Sequence, residues 1–112
     1  RHRLAQLAID IDVGRAFAYY IVWSQIKGGL MVAAPLAAAA KILATELNQR
    51  FTYAGCQIMG LYGQVEKSKW APMLGKFEKE YQQCVSLNMG GGTSEIMRNL
   101  VCSLALGLPR SW

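Results

Sequence analysis

The residues best arranged for chemistry in this 112-residue chain are Gly90-Gly91-Gly92-Thr93-Ser94-Glu95-Ile96-Met97-Arg98. Glycine reaches φ > 0 at little cost and lets another backbone or a ligand come close. Thr93 or Ser94 is a favoured N-cap, so the triplet predicts a tight turn delivering a helix N-terminus. Such an end offers unpaired amide hydrogens and the positive end of the helix dipole, which suits a phosphate or another anion. Many such turns start helices and bind nothing, so a plain helix cap is the competing reading. A second candidate is Gln57-Ile58-Met59-Gly60-Leu61-Tyr62-Gly63-Gln64, where glycines three apart break a helix just after a glutamine. On its own residues, Gln57 reads equally as a helix-end side chain bonding a carbonyl.

Other reactive types are sparse. Cys56, Cys84 and Cys102 are odd in number and far apart, and have no metal-ligand spacing with the lone His2. They read as reduced, mostly buried thiols of a cytoplasmic protein, with no metal site. Net charge is +5 with pI near 9.3, but the basic residues are scattered and not interleaved with aromatics. An anionic cofactor site or a solvated face accounts for them better than a nucleic-acid surface does.

The elements that position these residues come from the apolar pattern. Hydrophobic residues make up 53% and charged residues 17%, against about 25% charged in ordinary soluble domains. No membrane span is expected, because Asp10, Asp12, Arg15, Lys27, Lys41, Glu46 and Arg50 interrupt the richest regions. The excess points to helices buried on more than one face, and so to oligomerisation or to cover from other parts of a longer chain. A start at Arg1, in mid-pattern, adds the expectation of a piece of something larger.

A first helix is expected over residues 1 to about 27, with two stripes. Leu4, Leu7, Ala8, Ile11, Ala18, Ile21 and Val22 form one; Ile9, Val13, Ala16, Tyr20 and Trp23 form the other. Lys27-Gly28-Gly29 stops it. A second helix begins near Pro35 and runs through the alanine block to about Leu61, with Glu46 and Arg50 spaced to pair. A third spans about Pro72 to Leu87 and a fourth Thr93 to about Leu106. Strand alternation is absent, so the fold class is an all-α, up-and-down bundle of about four helices in a single domain, residues 1–112.

With the helices placed, the chain resembles the C-terminal helical domain of the acyl-CoA dehydrogenases, flavoenzymes that introduce an α,β double bond into an acyl thioester. Four stretches carry the resemblance: Arg3-Leu4-Ala5; Ala39-Ala40-Lys41-Ile42-Leu43-Ala44-Thr45-Glu46; Gln57 to Gln64; and Gly91 to Asn99 followed by Leu106-Gly107-Leu108-Pro109-Arg110. It implies FAD as cofactor, an acyl-CoA substrate and a homo-oligomer, either dimer or tetramer. Gln57, Ile58, Met59, Gly60 and Leu61 would meet the adenosine diphosphate half of FAD from a neighbouring subunit. Thr93 and Glu95 would meet flavin and Gly92 the substrate, while Arg98 would form a structural ion pair.

Two departures qualify that implication. Leu61 stands where a second glycine is usual, which restricts close approach of the backbone. Gly91 stands where many members carry the glutamate that removes the α proton, and glycine has no side chain to do so. The resemblance therefore implies a base from an earlier helix, upstream of Arg1. Glu46, Glu66, Glu78 and Glu80 fall on exposed or connector positions and are not candidates. The isolated chain is expected to be inactive; the alternative is a helical oligomerisation module or a non-catalytic partner subunit.

Overall fold

A computed structural model describes residues 1–109. Among these, the regular elements are helical: α1 (His2–Met59), α2 (Lys76–Met89) and α3 (Ser94–Ala105), with 3-10 turns at Gly60–Gln64 and Pro72–Gly75. Arg110, which closes the last stretch of the resemblance, lies outside the described residues.

The two helices expected before residue 61 form one element with a sharp bend. Fifty-eight helical residues in a straight line would span about 87 Å at about 1.5 Å each, whereas the longest dimension is 52 Å. The chain turns at Gly29, whose φ of 76° and ψ of −177° are non-helical. Residues 30–59 then run back along residues 2–28. Asp10 bonds Arg50 at 2.9 Å, and Arg3 bonds Gln57. The three α-helices thus provide four bundle rods, because α1 contributes two arms.

Two boundaries and one pairing differ from expectation. Helix resumes directly after Gly29, so Pro35 lies inside the second arm rather than at its start. Proline has no N–H for the carbonyl of Met31, and burial of its ring offsets part of that loss. The third helix starts at Lys76, not Pro72, because Met73 and Leu74 hold left-handed backbone with φ of 50° and 59°. Glu46 and Arg50 do not pair with each other. Arg98 takes Glu46 and Asp10 takes Arg50.

The packed seam of the first arm is narrower and more polar than either expected stripe. Leu7 and Ser24 are buried, and Asp10, Gly14, Phe17 and Ile21 are partly covered, tracing steps of three and four. Small residues decide this line. A Cβ added to Gly14 would sit 4.0 Å from Leu43 Cδ2, so the arms come close there. Opposite them, the alanine block supplies buried Ala33 and Ala38. The second stripe stays outside, with Ile9, Val13, Tyr20 and Trp23 all exposed.

The second arm is the spine of the bundle. On α2, the Phe77 ring covers Gly55 and lies 6.0 Å from Phe51, while buried Cys84 meets Thr52 Oγ1 at 3.5 Å. On α3, Arg98 reaches Glu46. All three cysteines are free thiols.

This packing leaves much surface open. Accessible area is 8044 Å², against about 6,100 Å² for a compact monomer of this mass. The radius of gyration is 17.1 Å, against about 13 Å for a compact chain of this length. By length and composition alone, the stretch His2–Gln64 also contains a window apolar enough to cross a membrane, with mean hydropathy 1.6. The outward apolar residues of the first arm contribute to the open surface. Phe17, Tyr20 and Trp23 stack there as a ladder, with centroid spacings of 6.5 and 5.8 Å.

Candidate functional site

The sequence candidates form two separate patches along the second arm, one at its C-terminal end and one beside Lys41 nearer its start. One surrounds Gln57 and Gly60; the other is the Gly90–Thr93 turn, held near Lys41. Sixteen helical residues separate Lys41 from Gln57, roughly 24 Å at about 1.5 Å per residue.

At the first patch, Gln57 is anchored by neighbouring side chains and not by a helix carbonyl. Its Oε1 accepts from Arg3, and its Nε2 donates to Tyr53 Oη at 2.7 Å. The Arg3 guanidinium also stands 5.8 Å from the centre of the Tyr53 ring. Each end of the Gln57 amide keeps hydrogen-bonding capacity in reserve. Beside it lies a groove of about 510 Å³, lined by Tyr53, Gln57, Gly60, Gln64 and Tyr81 among others. Tyr53 and Tyr81 rings are 6.4 Å apart and tilted.

The turn that closes this groove depends on Gly63. A Cβ there would lie 3.0 Å from the Cys56 carbonyl oxygen and 3.2 Å from Cys56 Cα, so only glycine lets the turn lie flat on the arm. Ile58 and Leu61 point outward, 65% and 81% exposed, and Met59 is partly covered. Cys56 also lines the groove. Burial, and then the Glu78 charge, push its thiol pKa up, so at neutral pH it is a thiol and not a nucleophile.

At the second patch, Thr93 is the N-cap, with ψ of 162°, and its Oγ1 accepts from the Ile96 N–H at 3.4 Å. Gly91 and Gly92 both have positive φ, 73° and 106°. Gly92 packs against Met97, whereas a Cβ on Gly91 would meet nothing within 4 Å. Among the described residues the Gly91 N–H has no backbone acceptor, while Gly90 N–H bonds Ser86 O at 3.0 Å and Gly92 N–H bonds Met89 O at 3.3 Å. The turn therefore offers an amide donor with no backbone acceptor beside a helix start.

Glu95 is exposed, and its pKa is held below the ordinary carboxylate value. Its own backbone N–H is the largest cause, followed by the Thr93 hydroxyl and the Arg98 and Lys41 charges. It is ionised near neutrality, and its depressed basicity makes it a poor proton acceptor. Arg98 is engaged by Glu46.

Lys41 carries a role that sequence reasoning missed. In the sequence it stands only as a charge interrupting an apolar region, but its ammonium donates to Asn88 O at 2.9 Å and to Gly92 O at 2.6 Å. Contacts 47 and 51 residues away leave no trace in a local pattern. Arg3 was likewise quoted only as part of a stretch. Nearby, Asn88 Oδ1 is enclosed with no donor among the described residues.

Comparison with known proteins identifies the family. Residues 1–105 match the family model of the acyl-CoA dehydrogenase C-terminal domain, and the chain belongs to that family. It is 34% identical over 76 residues to acyl-CoA dehydrogenase FadE26 of Mycobacterium tuberculosis, covering 67% of this chain and 19% of that protein. With acyl-CoA dehydrogenase FadE29 of the same organism it is 28% identical over 88 residues, covering 79% and 23%. Among solved structures, the Tcur3481-Tcur3483 steroid ACAD superimposes with a TM-score of 0.88 at 27% identity, covering 99% of this chain and 29% of that one. The ChsE4-ChsE5 complex from Mycobacterium tuberculosis gives 0.84 at 29% identity, covering 97% and 28%. The chain thus spans about a fifth of the length of the curated relatives it matches.

Proposed function

We propose that residues 1–112 serve as the C-terminal helical domain of an FAD-dependent acyl-CoA dehydrogenase, acting in the cytoplasm within an oligomer. The observation that carries this reading is the separation of the two patches. Groups roughly 24 Å apart on one rigid arm suit two different contacts, one made to a neighbouring subunit's cofactor and one near the reacting centre. At the first, Gln57 and the backbone at Gly60 and Leu61 would hold the adenosine end of FAD. The adjoining Ile58 and Met59 would flank it, the tyrosine rings would give it an apolar wall, and Arg3 would supply a cation. These neutral amides and rings fit an adenosine better than a second phosphate, because Glu78 also lines the groove. At the second, Thr93 and Glu95 would contact the flavin side, and the Gly91–Gly92 backbone would face the acyl-CoA thioester.

Bound FAD would accept the hydride leaving the β carbon of the substrate. This chain's residues would orient and enclose, since Gly91 has no proton-accepting side chain and Glu95 is a weak base. The exposed apolar face of the first arm supports subunit packing. The whole chain's surplus of roughly 1,900 Å² over a compact monomer, to which this face contributes, exceeds the ~800 Å² per partner of a standard interface. We propose self-association to a dimer or tetramer; the solved relatives carry two-component names, which supports a second, different chain as the other arrangement. The relative named a steroid ACAD supports testing a bulky polycyclic acyl-CoA beside straight-chain ones.

The test is expression of the complete protein that carries this chain, followed by flavin absorbance and its bleaching with acyl-CoA thioesters. Bound flavin that bleaches is the expected result. A stable assembly that never takes up flavin would overturn the enzyme reading in favour of a non-catalytic helical oligomerisation module or partner subunit. The left-handed backbone of Gly91 favours that second reading, because it disfavours any side chain at the position of the usual base.

A further inference from the structure

The Gly90–Gly92 turn joins two helices through three glycines, the residues with the most backbone freedom to lose on ordering. Two backbone bonds and the Met97 side chain hold it from within. From outside, and among the described residues, Lys41 is the charged group that reaches it, bonding the carbonyls of Asn88 and Gly92. Asn88 O belongs to the last turn of α2, where the helix dipole is negative, and Gly92 O immediately precedes the cap of α3. Bonds from an ammonium to carbonyls are shorter and stronger than neutral ones, and 2.6 Å is at the short end of the range.

With the Gly92 carbonyl turned toward Lys41, the Thr93 N–H of the same planar peptide turns the other way, and the Gly91 N–H beside it has no backbone acceptor among the described residues. One arm of α1 thereby sets the orientation of a donor on a loop roughly fifty residues later. A second tie, Glu46 to Arg98, fixes α3 to the same arm but leaves the turn itself untouched.

We infer that Lys41 is the positioning residue of the glycine turn, holding Gly91 and Thr93 in their orientation through its two carbonyl contacts. The orienting role stands on the geometry alone; its effect on flavin and substrate rests on the function proposed above.

The test uses the complete protein with Lys41→Met, which keeps the length of the side chain and removes its charge and donors, beside Lys41→Arg. Amide hydrogen exchange is followed over residues 88–95 and, as an internal control, over 57–64. Lys41→Met is expected to speed exchange at 88–95 by about tenfold or more and leave 57–64 unchanged, with Lys41→Arg restoring much of the protection. Equal exchange at 88–95 in a folded variant, or equal acceleration in both segments, would overturn the inference. If Lys41→Met does not accumulate as folded protein, Lys41→Gln is read by the same criterion. With flavin bound, a shift of the flavin absorption band and a fall in kcat at near-constant KM are expected in Lys41→Met. An unchanged spectrum and kcat would confine Lys41 to the protein's own structure. A wild-type protein without flavin would sink the enzyme reading while leaving the exchange result to stand.

Discussion

The two glycine turns that pack on the second arm are fixed to it by different means. The Gly60–Gln64 turn is pressed onto the helix by shape, since Gly63 leaves no room for a Cβ beside Cys56 and Met59. The Gly90–Gly92 turn stands clear of steric contact at Gly91 and is held by the Lys41 charge. A sterically seated turn is indifferent to salt and pH but intolerant of added atoms. An electrostatically held turn has room for added atoms where it stands clear, as at Gly91 but not at Gly92, and answers to charge. The difference matches what each patch presents: a formed groove at one and a backbone donor without a backbone acceptor at the other.

That contrast breaks most readily at Gly63. Gly63→Ala puts a methyl 3.0 Å from backbone that cannot move aside easily, so a loss of about 2–3 kcal/mol is expected in thermal or denaturant unfolding. A neutral Gly63→Ala would mean the turn is not sterically seated.

Gly91 sharpens the comparison from the other side. Its site is open but its φ is 73°, so Gly91→Ala is expected to cost about 1 kcal/mol through backbone strain alone. Gly91→Glu should cost the same within a few tenths of a kcal/mol, because nothing crowds the longer side chain. A much larger loss for glutamate than for alanine in matched melts would refute the open space.

Smaller still is the effect expected at the Glu46–Arg98 tie. Both side chains are about half exposed, so Arg98→Gln should cost no more than about 1 kcal/mol and less in high salt. A salt-independent loss would point to packing instead of charge.

The smallest effect is that of Glu95 on acidification. Its folded pKa is depressed, so its contribution to stability is present above the unfolded value and lost as pH falls through the lower, folded one. Thermal melts from neutral pH down to about pH 3 should therefore show a slightly shallower acid decline in Glu95→Gln than in wild type. An identical acid limb in the two proteins would remove Glu95 from the account.

The helical class, the Gly60 break and the Thr93 cap were legible because each is written in neighbouring residues. What was not legible depended on partners distant in sequence. The first-arm seam was hidden because its members include Asp10, Gly14 and Ser24, chosen for close approach and pairing and not for hydrophobicity. Pro35 looked like a helix start because a proline's missing N–H costs least there, yet Gly29 already supplied the turn. Met73 and Leu74 gave no sign of left-handed backbone, which such side chains rarely adopt. At the candidate site, glycine spacing located both turns, but the groups that hold them, Arg3 and Lys41, act across the bundle.

The open outer face of the first arm has a consequence in time and not only in space. In the assembly proposed above, a newly made chain can close its hairpin and seat α2 and α3 by unimolecular steps, but covering the Tyr20–Trp23 face against a partner is bimolecular. Its rate depends on how many partners are present, so dilution lengthens the interval in which apolar surface is bare and available for aggregation. Where assembly and folding are coupled in this way, stability has no value apart from a protomer concentration. Supply of partners then governs the lifetime of the folded state as directly as any contact within the bundle.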